Sequence, residues 1–210
     1  MNMEVKKMIP KIAIDVITEL LPMITLFCIV LFLLRFFYLK NNNKEFILYK
    51  ELINISFIIY ILLLFELVTS TDFHSYNNNF IPFREIFRYS FSSPLFYRNV
   101  IGNVILFIPF GYFTSYFTKV NKVSISLFIT LVTSISIETI QSLIGRSFDI
   151  DDVLLNITGG LIGYLLYKLT SKLLKKHSIE IKNSILINAI SIIIMFILIY
   201  IIFALYGVRL

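Results

Sequence analysis

The chain has 210 residues, of which 58% are hydrophobic and 15% are charged, and its formal net charge is +6. A soluble domain carries about 25% charged residues, so this composition excludes an ordinary water-soluble globule and a disordered chain. The single cysteine, Cys28, has no partner within the chain, which excludes a disulfide-stapled secreted fold. A basic charge on so apolar a chain indicates loops that face anionic lipid rather than nucleic acid. Membrane lipids are therefore the expected partner.

Apolar stretches long enough to cross a hydrocarbon core of about 30 Å follow one another along the chain. They predict an all-α, polytopic transmembrane bundle of about six helices, at 20–39, 52–70, 99–118, 123–144, 153–170 and 184–206. The expected organisation is an interfacial segment and first helix at 1–51, a membrane core at 52–170, and a basic linker with a last helix at 171–210. We expect a multi-pass protein of the cell membrane.

The basic residues of the predicted loops indicate the orientation. With six crossings, eleven Lys and Arg residues fall on one side and eight on the other, which holds the 71–98 and 145–152 loops. The positive-inside rule places the larger set in the cytoplasm. The 71–98 and 145–152 loops are therefore expected to be extracytoplasmic, although three of the eight residues on that side precede residue 12.

Polar residues recur at one end of three predicted helices. An ionisable or amide side chain inside a bilayer is costly, so each needs a partner or a wet cavity. The helical pairs, each three or four residues apart, are Asn99 with Asn103, Glu138 with Gln141, and Asp152 with Asn156. Alternating helix direction brings the pairs to the extracytoplasmic side, where Arg84, Arg146 and Asp149 also lie. These nine residues predict a polar ligand-binding pocket.

Structural interpretations of the same residues stay open. Asp149 can be the N-cap of the fifth helix, and Gly145 can end the fourth. Asn103 and Asn156 can form structural hydrogen bonds between helices. Glu138 can form a structural ion pair with Arg146, because a buried carboxylate must be paired or protonated. Separately, Gly159 and Gly163 form a small-xxx-small pair, with Gly160 beside it, which predicts a close approach of the fifth helix to a neighbour.

Three segments between residues 79 and 163 carry polar residues and glycines at defined spacings. They read Asn-Phe-Ile-Pro-Phe at 79–83, Asn-x3-Asn-x3-Phe-x-Pro-x-Gly at 99–111, and Glu-x2-Gln-x3-Gly-Arg-x2-Asp-x2-Asp-x3-Asn-x2-Gly-Gly-x2-Gly at 138–163. In these segments the chain resembles the VanZ-like family of small membrane proteins. The resemblance implies a cell-envelope role and, through the family's namesake, an association with resistance to teicoplanin, a lipid-bearing glycopeptide antibiotic. It implies no particular reaction.

The first functional hypothesis is a binding protein of the bacterial cell envelope. Its pocket would engage an amphiphilic ligand, either a lipid-linked envelope intermediate or a teicoplanin-type glycopeptide. Arg146 or Arg84 would pair with a phosphate or carboxylate of the ligand through charge-assisted hydrogen bonds. Asn103, Gln141 and Asn156 would orient it.

Two other functions stay open. An intramembrane enzyme acting on a lipid-linked substrate would use Glu138 as general acid or base, with Asp149 and Asp152 holding a divalent cation; its catalytic candidates are Glu138 and Asp152. Whether the protein is an enzyme is therefore uncertain. A transporter is disfavoured, because polar positions cluster near one surface without continuing through the cytoplasmic halves. The spacing of His and Cys is not that of a metal site, so neither a resident metal nor a cofactor is expected.

Overall fold

The computed structural model describes residues 22, 25–27, 29–69, 78–119, 122–176, 188, 191–194, 196–197 and 200. Over these residues the protein is all-α, and its one β-type pairing is an isolated bridge between Asn79 and Asp149. They fall into two compact units, one from Met1–Phe65 with Glu180–Leu210 and the other from Glu66–Ile179. The predicted three-part division at residues 51 and 170 stays a prediction.

Five helices are described over continuous ranges: α1 at 29–41, α2 at Leu48–Thr69, α3 at Pro94–Thr118, α4 at Val123–Leu143 and α5 at Ile150–Lys176. The described residues at 22, 25–27, 188, 191–194, 196–197 and 200 are also helical. Four of the five helices are long and apolar enough to cross a membrane, through the stretches Leu48–Phe65, Pro94–Thr118, Val123–Leu143 and Ile150–Lys172. The predicted fold class is confirmed. The part of the first predicted helix before residue 22 and most of the sixth, 184–206, lie outside the described residues.

Three helices begin earlier than their apolar runs predicted: α2 starts at Leu48, four residues before 52, and α3 and α5 are extended by capping residues. The hydroxyl of Ser93 accepts the N–H of Phe96 at 3.1 Å, and Pro94 occupies the first turn, so α3 starts five residues before 99. Asp149 accepts the N–H of Asp151 at 2.9 Å and starts α5 three residues before 153. Within α3, residues Tyr97–Ile101 form a π-helical turn.

In the first unit, α1 and α2 are joined by a short turn at 42–47. Arg35 Nε lies 3.0 Å from Glu51 Oε2, and the Glu51 carboxylate is buried. Lys44 Nζ donates to the Tyr38 hydroxyl at 2.9 Å, which fastens the turn to the end of α1. These polar contacts hold the two antiparallel helices together near their connection.

In the second unit, α3 and α5 touch through glycines. A Cβ placed on Gly111 would lie 2.1 Å from the carbonyl oxygen of Gly160, and one on Gly163 would lie 2.1 Å from that of Ile108. Only residues without a side chain allow the two backbones to come this close. The close approach predicted from Gly159 and Gly163 is confirmed, and α3 is the neighbour.

The packed face of α4 is polar and its outer face is apolar. The exposed residues include Phe128, Val132, Ile135 and Leu143. The buried ones are Ser126, Thr130, Ser134, Glu138 and Gln141. This inversion suits a bilayer, where lipid tails solvate the apolar face and polar groups gain only from partners inside the protein.

The polar face of α4 continues well beyond the predicted site. It spans sixteen residues, from Ser126 to Gln141, or roughly 22 Å at a rise of 1.5 Å per residue. At its far end the hydroxyls of Ser115 and Ser126 share a hydrogen bond of 3.1 Å. The expectation that polar positions stop near one surface was therefore wrong. The hydroxyls bond to each other and to backbone carbonyls, as Thr130 does to Ser126 at 2.9 Å.

Candidate ligand-binding site at one end of the bundle

The start of α5 is tied to the 78–80 segment by main-chain and side-chain hydrogen bonds. Asn79 N–H donates to the carbonyl of Phe148 at 2.8 Å, and Ile150 N–H donates to that of Asn79 at 3.0 Å. The Asn79 side-chain amide donates to Asp149 Oδ1 at 2.8 Å. Burial raises the pKa of Asp149, against the opposing effect of the hydrogen bonds from Asp151 and Asn79. Asp149 thus acts as the N-cap and also holds the neighbouring segment.

The end of α4 turns back on itself and places Arg146 beside Gln141. Arg146 N–H donates to the Gln141 carbonyl at 2.9 Å, and Gly145 N–H donates to that of Ser142 at 3.3 Å. These two bonds form a Schellman motif, which requires a left-handed residue; Gly145 supplies it with φ at 92°. The interpretation of Gly145 as the helix stop is confirmed.

Replacing Gly145 with alanine is expected to destabilise the protein by about 1 kcal/mol, because a Cβ disfavours positive φ. Thermal unfolding of the purified protein in detergent measures the loss. Gly145→Asn is the matched control, since asparagine tolerates this conformation better, and it should lose less than half as much. Equal losses for the two variants would contradict the role given to the turn.

Glu138, Gln141 and Arg146 form a hydrogen-bonded chain. Oε2 of Glu138 accepts the N–H of Asp149 at 3.0 Å. With its amide oriented to satisfy both neighbours, Gln141 donates to Glu138 Oε1 at 3.1 Å and accepts from Arg146 Nη1 at 2.6 Å. Burial lowers the pKa of Arg146 and the charge of Arg98 adds to this, while the carboxylates of Glu138 and Asp152 favour the charged guanidinium.

Two asparagines connect α5 to the other helices of the unit. The Asn103 amide of α3 donates to Asp152 Oδ1. One turn further along α5, Asn156 Nδ2 donates to Ser134 Oγ of α4 at 2.9 Å. Asn156 is only 4% exposed, and its Oδ1 has no hydrogen-bond partner among the described residues. An unpaired buried acceptor is costly, so this oxygen is suited to a donor from outside the chain.

The structure brings together most of the predicted site. Six of the nine residues lie in one connected region at the α4–α5 turn, and Asn156 lies one turn below it: Asn103, Glu138, Gln141, Arg146, Asp149, Asp152 and Asn156. The other two residues, Arg84 and Asn99, do not join this region. Arg84 is exposed on the preceding loop, and Asn99 donates instead to the Tyr89 hydroxyl at 2.9 Å. The π-helical turn at Tyr97–Ile101 explains the second, since its wider winding breaks the four-residue alignment of Asn99 with Asn103.

Asp151 is the principal residue that the sequence analysis missed. It is 1% exposed, and its carboxylate accepts the N–H groups of Phe83, Glu85 and Ile86. Asp151 thereby holds the preceding loop against the start of α5. Its position among three aspartates within four residues was a signal, but spacing alone did not show which of them faced inward. Across the described parts of the chain, no three His, Cys, Asp or Glu side chains come together as metal ligands.

These features define a class of protein. It is a polytopic helical membrane protein in which a cluster of polar side chains lies at the turn between α4 and α5. Residues 20–175 match the family described as VanZ/LLP1, and the chain belongs to that family. It is 29% identical over 132 residues to Protein VanZ of Enterococcus faecium, covering 61% of this chain and 76% of that protein. No solved structure matches the chain.

Proposed function

We propose that the polar cluster at the α4–α5 turn binds the polar part of an amphiphilic cell-envelope ligand. The observation that carries the proposal is the buried, unpaired Oδ1 of Asn156. It lies one helical turn from Asp152 on α5, while its amide partner Ser134 lies one turn from Glu138 on α4. A ligand donor reaching this oxygen would also meet the region that holds both carboxylates.

The chemistry of the cluster favours a ligand with hydrogen-bond donors. Carboxylates and an amide oxygen are acceptors, so hydroxyl, amide or amine groups complement them. The half-buried Arg146 already faces the charges of Glu138 and Asp152, which leaves the exposed Arg84 as the better partner for a ligand phosphate or carboxylate. Teicoplanin and an envelope lipid that carries a sugar on a polyprenyl phosphate both combine such polar groups with a lipid chain. The proposal keeps the cluster on the extracytoplasmic side, as the distribution of Lys and Arg predicts.

Asn156→Leu tests this function. The substitution removes the acceptor and also the hydrogen bond to Ser134, while it retains the volume of the side chain. Size-exclusion chromatography of the variant checks that the bundle stays folded. In the wild-type protein, teicoplanin or the sugar-bearing polyprenyl-phosphate lipid should raise the unfolding temperature in a concentration-dependent way. We expect Asn156→Leu to abolish that rise, and to lose complementation of a deletion strain in a teicoplanin susceptibility assay.

Asn99→Leu is the matched control, because it makes the same chemical change at an asparagine whose amide bonds Tyr89 outside the cluster. It should keep the ligand-induced rise. An unchanged response in Asn156→Leu would overturn the proposed site, and no response of the wild-type protein to either ligand would overturn the proposed ligand class.

We do not extend the proposal to catalysis. Both carboxylate oxygens of Glu138 accept hydrogen bonds, from Asp149 N–H and the Gln141 amide. Asp149 and Asp152 bond to different amides, those of Asn79 and Asn103. These hydrogen bonds fix the three carboxylates in a structural role. None of them favours general acid–base chemistry or a cation shared by Asp149 and Asp152.

A further inference from the structure

The loop at 80–91, called here the aromatic loop, exposes an unusual amount of apolar surface. Phe87 and Phe91 are 78% and 77% exposed. The other large exposed apolar side chains of the loop are Phe80, Ile81 and Phe83. Large apolar side chains exposed to this extent on one connection between helices indicate a surface that another molecule covers.

The aromatic loop is held in shape with its rings outward. Asp151 accepts three of its backbone N–H groups, and Ile86–Arg88 form a 3₁₀ turn. Phe83 takes a left-handed conformation with φ at 67°, which is rare for a bulky residue. Phe80 stacks on Phe148 with ring centroids 5.3 Å apart and still stays exposed. The exposure of the rings is therefore part of a fixed structure.

The position and charge of the aromatic loop favour membrane lipid as the molecule that contacts its exposed rings. Phe91 lies three residues before Pro94, where the membrane-length helix α3 begins, so the loop lies at the level of the bilayer surface. Arg84 is exposed between the rings, and Arg88 lies 3.0 Å from Glu85. Aromatic rings and arginines together are typical of the headgroup region, where rings enter the acyl boundary and guanidinium groups meet phosphates.

We propose that the aromatic loop inserts Phe87 and Phe91 into the interfacial layer of one leaflet, with Arg84 at the phosphates. The rings bury apolar area in the lipid, and the guanidinium keeps its charge at the headgroups. The loop then anchors this end of the bundle at a fixed depth. The inference rests on the exposure and placement of the loop. It shares Arg84 with the proposed ligand site, so it is tested on the protein without added ligand.

The experiment uses the absence of tryptophan from the chain. Phe87→Trp and Phe91→Trp each place a single tryptophan, excited selectively over the 12 tyrosines, at an exposed position where the fold is little affected. The full chain is reconstituted in phosphatidylcholine–phosphatidylglycerol vesicles that contain lipids brominated near the headgroup or deep in the acyl chain. We expect both tryptophans to be quenched at least about twofold more by the shallow bromines than by the deep ones, and to resist acrylamide in water.

Phe128→Trp is the depth control, since residue 128 is exposed in the first half of α4 and should respond more to the deep bromines. In the Phe87→Trp protein, replacing Arg84 with glutamine should reduce the shallow quenching in anionic vesicles but not in neutral ones. Strong acrylamide quenching without a lipid effect would overturn the proposal. Protection from both quenchers would also overturn it, because a protein surface would then cover the loop.

Discussion

Gly111→Ala is expected to be among the most damaging single substitutions in the helical core. The new Cβ would lie 2.1 Å from the carbonyl oxygen of Gly160, so α3 and α5 would have to separate. Backbone cannot move aside as a flexible side chain does, and overpacking of this kind costs about 3 kcal/mol or more. We expect the unfolding temperature in detergent to fall by about 10 °C. Folded protein recovered in size-exclusion chromatography should fall with it.

Gly160→Ala provides the comparison, because its Cβ would meet a side chain. The nearest atoms are Cγ2 and Oγ1 of Thr130, both at 2.7 Å. Adding Thr130→Ala removes those two atoms and should restore most of the stability lost by Gly160→Ala. The same addition should give no rescue to Gly111→Ala, since that clash is with backbone. Equal rescue of both, or none of either, would contradict the described α3–α5–α4 packing.

The sequence alone predicted the helices well because membrane insertion imposes a simple rule. A segment that spans the bilayer must be helical, apolar and about 20 residues long, whatever its neighbours are. The ends were predicted less well, since they depend on caps. Ser93 and Asp149 satisfy the first N–H groups of α3 and α5 outside the apolar runs that the prediction followed.

The candidate site was predictable where it follows helical spacing. Glu138 with Gln141, and Asp152 with Asn156, lie where three- and four-residue spacing on an α-helix places them. Asn99 does not share a face with Asn103 as that spacing predicts, because the π-helical turn changes the winding of the helix. No residue pattern in the sequence predicted this turn. Asp151 was missed because its partners are backbone N–H groups some 65 residues away, at Phe83, Glu85 and Ile86. Such a contact depends on loop geometry that spacing does not encode.

The second large effect is expected at Asp151. Alanine would leave three backbone N–H groups of the aromatic loop without their acceptor, those of Phe83, Glu85 and Ile86. Hydrogen bonds to a charged group contribute about 1.5–3 kcal/mol each, so we expect the closed loop to lose about 3 kcal/mol or more. The open population should then rise roughly a hundredfold. Limited trypsin digestion measures it directly, through cleavage after Arg84 and Arg88.

Glu85→Ala is the matched control for this experiment, since it removes a carboxylate from the same loop. Its partner Arg88 is exposed, and an ion pair of that kind contributes about 0–1 kcal/mol, so cleavage should change only a few-fold. Asp151→Asn keeps one acceptor oxygen and should give an intermediate rate, which preserves the test if the alanine variant fails to fold. If Asp151→Asn and Glu85→Ala are both digested at the wild-type rate, Asp151 does not hold the aromatic loop closed. The outward orientation of the phenylalanine rings of the loop would then need another explanation.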